Sequence, residues 1–191
     1  MSSEQKLIRE CKKYKRRAQE KIYKKHSPVF RAICIRYARN YSDADDILHD
    51  SFIKIFTKIN QYKEKGSFEG WMKRIIVNTA LSYYNDKIKS KETELIPNQS
   101  PDKDNEENEE QEESVKTYVL DGVLTEEEIV KTVNKLPDGY RIVFNLFIFE
   151  KYSHKEIAKK LNIKVSSSKS QLTRARKLLK NKLEELVKRK K

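Results

Sequence analysis

A chain of 191 residues with 37% hydrophobic and 37% charged residues is too polar for one large core and fits one medium or two small helical domains. Its 4 Gly and 4 Pro are too few for the turns of a sandwich or barrel, and it has no apolar run long enough to span a membrane. The formal net charge of +13 is unevenly laid out. Residues 1–90 hold 21 Lys and Arg against 10 Asp and Glu (+11), residues 91–124 hold 3 against 11 (−8), and residues 125–191 hold 18 against 8 (+10). Two basic blocks therefore flank an acidic middle. Basic blocks attract polyphosphate by Coulomb forces and counterion release, so nucleic acid is the first partner to expect.

The start, MSSEQKLIRECKKYKRR, lacks the apolar core of a signal peptide, so a cytoplasmic protein with no direct membrane insertion is expected. From about Arg16 the pattern is helical. A first helix carries Ile22, Tyr23, Val29, Phe30, Ile33, Cys34 and Tyr37, and Ser27-Pro28 either bends it or starts a new one. Ser42, three residues before Asp45, reads as a capping-box-like start for a second helix. Its apolar row is Leu48, Phe52, Ile55, Phe56 and Ile59, and its polar face holds Asp46, Asp50, Lys54 and Lys58. A loop, QYKEKGSFEG, is expected over residues 61–70. A third helix follows over 71–88, with Trp71, Met72, Ile75, Ile76, Thr79 and Ala80 on one side.

Between residues 90 and 114 the apolar period stops. SPDKDNEENEEQEE cannot bury enough surface to offset chain entropy, and its like charges repel, which predicts a flexible acidic linker. Order is expected to resume at Thr125, where Thr-Glu-Glu-Glu makes a capping box ahead of Ile129, Val130, Val133 and Leu136. Pro137-Asp138-Gly139 breaks the chain. Residues 140–149 are apolar enough for a helix or a short strand, and the helical flanks favour the helix. Ser153 and Glu156 form a second capping box, before a helix burying Ile157, Ala158 and Leu161. After Asn162-Ile163 a last long helix is predicted, with Val165, Ser168, Leu172, Ala175 and Leu179 inward.

The strongest motif is SHKEIAKKLNIKVSSSKSQLTRARKLL, residues 153–179. A short capped helix, a brief turn and a second helix with a basic outer face make a helix-turn-helix, whose second helix can enter a major groove. The bland alternative is a helical hairpin with a solvated cationic face. A solvated face usually intersperses acids for i,i+4 pairing, yet no acid occurs from Ala158 to Lys182. Cys11 and Cys34 form no CxxC pair, and with His26, His49 and His154 they make no zinc-ligand spacing, so free thiols and no metal are expected. With no Gly-rich phosphate loop or nucleophile elbow either, neither an enzyme nor a cofactor is expected.

The same segment, with LPDGYRIVFNLFIFEKYSHKEIA before it, resembles region four of the extracytoplasmic-function sigma factors. NYSDADDILHDSFIKIFTKINQYKEKGSFEGWMKRIIVNTALSYYNDKIK resembles their region two, and the two occur in order on either side of a linker. The resemblance implies an all-α protein of two small helical domains, residues 16–90 and 125–186, joined by the acidic linker of 91–124. It implies as partners core RNA polymerase, promoter DNA and an anti-sigma factor. Asp46, His49 and Asp50 fall at positions that contact polymerase, with Phe52 and Ile55 supporting their helix. Tyr62, Lys63, Ser67, Phe68 and Trp71 fall where a base flipped from the −10 element is captured, and Lys73, Arg74, Asn78, Tyr83, Asn85 and Lys87 continue along that strand. His154, Lys155, Ser167, Lys169, Ser170, Thr173 and Arg174 fall at −35-reading positions, with Arg176 and Lys177 at phosphates.

Several of these residues have a second reading. Trp71 is core, DNA platform or both; Tyr83 and Tyr84 are surface or interface; Asp43 and Asp45 can simply favour a helix N-terminus. Ser168 stands where the family usually has an aliphatic residue, and a buried hydroxyl there is expected to need a backbone carbonyl. Gln171 stands for a common Arg, Asn162 for a turn glycine, and Ser82 for a frequent acid. A DNA-binding regulator, with residues 16–88 as sensor or dimerisation domain, is the alternative from another class. The linker is either a plain tether or an anionic strap lying in a basic polymerase channel. Deleting residues 105–113 separates these two: a strap predicts an altered yield of abortive transcripts, a tether predicts unchanged initiation.

Overall fold

Every apolar row that can be followed closes into a helix. The computed structural model describes residues 3–91 and 124–190, and the chain divides into two units, Met1–Thr93 and Glu94–Lys191. The described residues form eight α-helices and one short 3-10 turn, with no strand. Residues 92–123 of the predicted linker, with its run of acids from Asp102 to Glu113, fall outside the described residues.

In the first unit α1 spans Ser3–Lys12, α2 Arg16–Tyr37, α3 Tyr41–Thr57 and α4 Phe68–Lys91, with a 3-10 turn at Ile59–Gln61. Helices α2, α3 and α4 pack on one another, and α1 lies along α2. The helix α1 extends the unit ahead of the expected start at Arg16; it buries Ile8 and Cys11. Helix α2 is continuous through Pro28. Pro28 and Lys24 are both exposed, so the carbonyl left without its donor faces water rather than the core. Its inner row is Ile22, His26, Phe30, Ile33, Cys34 and Tyr37. Val29, expected within, is exposed, and the exposed Tyr23 instead lays its ring against Phe52 at 4.6 Å.

Helix α3 starts two residues ahead of the start expected from a Ser42 cap. Asn40 is the N-cap, its side chain accepting from the Asp43 amide at 2.8 Å. Asp45 is thereby released to pair with Arg31 through two contacts, 2.6 and 3.0 Å. The carboxyl of Asp45 is held below its usual range by those hydrogen bonds. Helix α4 begins at Phe68, three residues earlier than expected, because the Ser67 hydroxyl accepts from the Gly70 amide at 3.0 Å and caps it. Its buried side is Phe68, Met72, Ile76, Val77, Thr79, Ala80 and Leu81, with Trp71 and Ile75 at the margin.

In the second unit α5 spans Glu126–Asn134, α6 Asp138–Ile148, α7 His154–Leu161 and α8 Val165–Lys190. Both expected capping boxes are present, Thr125 with Glu128 and Ser153 with Glu156. Residues 140–149 are helical as far as Ile148. The strand reading arose because α6 is packed by both α7 and α8, burying six consecutive residues from Arg141 to Leu146 and erasing the period that distinguishes helix from strand. Asn162 ends α7 in the left-handed conformation, φ 55°, which asparagine tolerates better than most residues. All three shorter helices pack on α8, whose inner row is Ser168, Leu172, Ala175, Leu179 and Leu183. Val165, expected inward, is exposed as the first residue of α8.

Both cysteines are buried free thiols, and burial pushes Cys11 up to about 11 and Cys34 up to about 12. His26 is buried too, its ring stacked on Phe30 at 5.7 Å and meeting the edge of Phe68 at 6.4 Å. Burial, seconded by Lys25, lowers its pKa, so the folded unit prefers neutral imidazole. A base held neutral on folding takes up more protons when unfolded, so its contribution is present above the unfolded value of about 6.5 and is lost as pH falls below it. Trp71 is the single tryptophan and belongs to this unit. Urea unfolding followed by its fluorescence is expected to show a lower midpoint at pH 5.5 than at pH 7.5, and His26→Gln is expected to flatten that difference. An equal pH dependence in the variant would remove His26 as its cause.

Candidate nucleic-acid interface

The turn between α3 and α4 is shaped by one tyrosine. Tyr62 is buried, its hydroxyl donates to the Gly66 carbonyl at 2.8 Å, and its own carbonyl accepts from Lys12 Nζ at 3.0 Å. That lysine also reaches Glu64 at 3.3 Å. Gly66 has φ 86°, a left-handed conformation that a Cβ would strain. The Tyr62 ring lies 5.1 Å from Phe68 and 5.5 Å from Trp71, and Phe68 stacks on Trp71 at 5.7 Å. Burial raises the Tyr62 phenol, with Glu64 and Glu4 adding to it.

The aromatic residues expected here are therefore brought together, but not equally presented. Tyr62 and Phe68 are a buried floor, and Trp71 alone of the three reaches the surface. Lys63 and Arg74 are exposed beside it, and Ser67 is committed to the helix cap. Further along α4, Asn78 is exposed and Lys73 and Asn85 are half-buried. Tyr83 is turned inward: its hydroxyl donates to Asp43 at 2.8 Å and ties α4 to α3. The side chain of Lys87 falls outside the described residues.

The four aspartates of α3 separate into two pairs. Asp43 is buried under Tyr83 and Asp45 is paired with Arg31. Asp46 and Asp50 stay exposed and, with His49, form one stripe at positions i, i+3 and i+4. Phe52 and Ile55 point the other way, into the core.

In the second unit the turn of residues 162–164 joins α7 to α8. Lys155, Lys169, Ser170 and Lys177 are exposed, and Ser167, Thr173, Arg174 and Arg176 are half-exposed on the same helices. Ser170 and Thr173 turn their hydroxyls to the backbone carbonyls of Ser167 and Lys169, at 3.2 and 3.3 Å. Arg176 lies over Phe147 at 5.7 Å. His154 is placed differently from the rest: its Nδ1 meets the Ser168 hydroxyl at 2.9 Å and its ring stacks on Phe147 at 4.8 Å. Ser168 thus finds a side-chain partner rather than the expected backbone carbonyl. Burial lowers the His154 pKa, and the charges of Lys169 and Arg176 act in the same direction.

Sequence reasoning missed Lys12, whose bond to Tyr62 crosses 50 residues, and Arg141, a buried cation ion-paired with Asp138 at 3.0 Å. Lys12 carries no local signal, whereas Asp138 and Arg141 stand at the i,i+3 spacing of a helical ion pair, a signal legible in the sequence. Among the described residues, no cluster of His, Cys, Asp and Glu could hold a metal, and no helix is long and apolar enough to cross a membrane.

Comparison with known proteins places both units. The family model for sigma-70 region 2 matches residues 22–89, and that for sigma-70, region 4 matches residues 126–179. The chain is similar to the RNA polymerase sigma factor SigZ of Bacillus subtilis, 31% identical over 159 residues covering 83% of this chain and 82% of that one. It is similar also to the ECF RNA polymerase sigma-E factor of Haemophilus influenzae, 24% identical over 195 residues and 97% of each chain. Among solved structures, the sigma factor RpoE of Bartonella quintana, in complex with the anti-sigma factor NepR, aligns with a TM-score of 0.48 at 18% identity, covering 88% of this chain and 96% of that one.

Proposed function

The chain belongs to the sigma-70 family, as an extracytoplasmic-function factor that directs RNA polymerase in transcription initiation, and from that premise we propose how its parts divide the work. Residues 16–90 hold core polymerase and the −10 element, residues 125–186 read the −35 element, and the acidic residues 91–124 join them. The observation that carries this is the pairing of a half-buried aromatic that reaches the surface with cations in one unit and a cationic helix-turn-helix in the other.

The exposed stripe of Asp46, His49 and Asp50 is the polymerase contact, and Phe52 and Ile55 fix its helix from beneath. Trp71 is the platform for an extruded −10 base. Tyr62 and Phe68 hold its ring in place, while Lys63, Arg74, Asn78 and Asn85 follow the strand. Lys155, Ser167, Lys169, Ser170, Thr173 and Arg174 face the −35 duplex, and Arg176 and Lys177 reach its phosphates. Neither unit need bind tightly alone, because polymerase spaces the two and makes the second contact effectively intramolecular. The protein works in the cytoplasm, and an anti-sigma factor restrains it.

Transcription from a library with randomised −10 and −35 elements, using the purified chain and core RNA polymerase, tests the reading. Specific transcripts are expected. A chain that binds duplex DNA yet yields none would be a regulator of the ordinary kind. In the resulting holoenzyme, Trp71→Ala is expected to weaken binding of a single-stranded non-template −10 oligonucleotide about tenfold to a hundredfold, the range for loss of one stacked base. A Trp71 that served only the core would lower thermal stability and leave that affinity unchanged.

A further inference from the structure

Ser168 has no exposed surface and lies on the inner row of α8 with Leu172, Ala175 and Leu179, where a lone hydroxyl is costly. The 2.9 Å contact with His154 Nδ1 satisfies it, and it joins the first residue of α7 to the first turn of α8. The imidazole is also fixed on its face, by the near-parallel stack on Phe147 of α6, with 24° between the planes. Three helices therefore meet at one ring. An aliphatic contact would let α8 slide or rotate by fractions of an ångström at little cost. A hydrogen bond weakens steeply with distance and angle, so it sets a register.

We propose that His154 is a positioning residue for promoter reading, and that through Ser168 it fixes the angle at which α8 presents Lys169, Ser170 and Arg174 to the duplex. This rests on the reading of α8 as the −35 helix, and it takes His154 itself out of the set that touches bases. The inward edge of the ring, Nδ1, does the work. Its partner serves with either tautomer, since a hydroxyl both donates and accepts. Lys169 and Arg176 from α8 oppose a proton on the ring, and the carboxyl of Glu156 on its own helix is engaged by Ser153.

The test uses the full chain with core polymerase on the library randomised at −35, and sequences the transcripts. Asparagine carries its amide near the place of Nδ1, and glutamine near that of Nε2. His154→Asn is expected to keep the wild-type base preference. His154→Gln and Ser168→Ala are expected to flatten the preference at all read positions together, by about fivefold to tenfold, the scale of one lost buried hydrogen bond. The double variant is expected to be no worse than either single one, since both remove the same contact. A change at one base position in His154→Asn, with the Ser168→Ala profile intact, would make His154 a base reader and overturn the proposal. Should the wild-type chain give no transcripts, the −35 reading falls, and amide hydrogen exchange over residues 163–170 still decides the contact. Faster exchange in Ser168→Ala and His154→Gln, but not in His154→Asn, supports it, and equal exchange in all overturns it.

Discussion

Helices of one to three turns do not hold together alone in water, and α5, α6 and α7 have 9, 11 and 8 residues. Each is stabilised by packing on the 26 residues of α8. Full burial of a leucine contributes about 1.5–3 kcal/mol, so Leu172, Leu179 and Leu183 along one row hold much of that unit. Because the inner face of α8 is committed to packing, its outer face keeps a fixed shape. The basic residues there ride on the most heavily supported element in their unit.

The first unit has two long helices, the 22 residues of α2 and the 24 of α4, and adds polar pins between its elements. Tyr83 donates to Asp43 across α4 and α3, Arg31 grips Asp45 across α2 and α3, and Lys12 reaches the Tyr62 carbonyl from α1. These contacts use up two of the four aspartates and leave Asp46 and Asp50 facing water. Exposed ion pairs contribute little singly, so Arg31–Asp45 orients more than it stabilises. The charge left over on the surface is therefore a selected fraction of the charge in the sequence.

Local signals were legible and distant partners were not. Thr125 with Glu128 and Ser153 with Glu156 lie three residues apart and could be read directly, as could Asn162 at the turn. The α3 start was misplaced because Asn40 and Ser42 are both good caps, and Arg31, remote in sequence, settles the fate of Asp45. The departure at Ser168 was visible from the resemblance, but its partner lies 14 residues away on another helix. The partial exposure of Trp71, and the burial of Tyr62 and Phe68, depend on how the α3–α4 turn folds back. No period within that turn records it.

The two thiols of the first unit add a practical consequence. Attack by a sulfur nucleophile needs the thiolate and access, and Cys11 and Cys34 are denied both by burial and by their raised pKa values. Maleimide dyes should pass over the native molecule, so one cysteine engineered onto the outer surface of α8 would take a fluorophore cleanly, without stripping out the natural pair. The same silence makes those sulfurs a clock: their rate of alkylation counts how often the first unit opens.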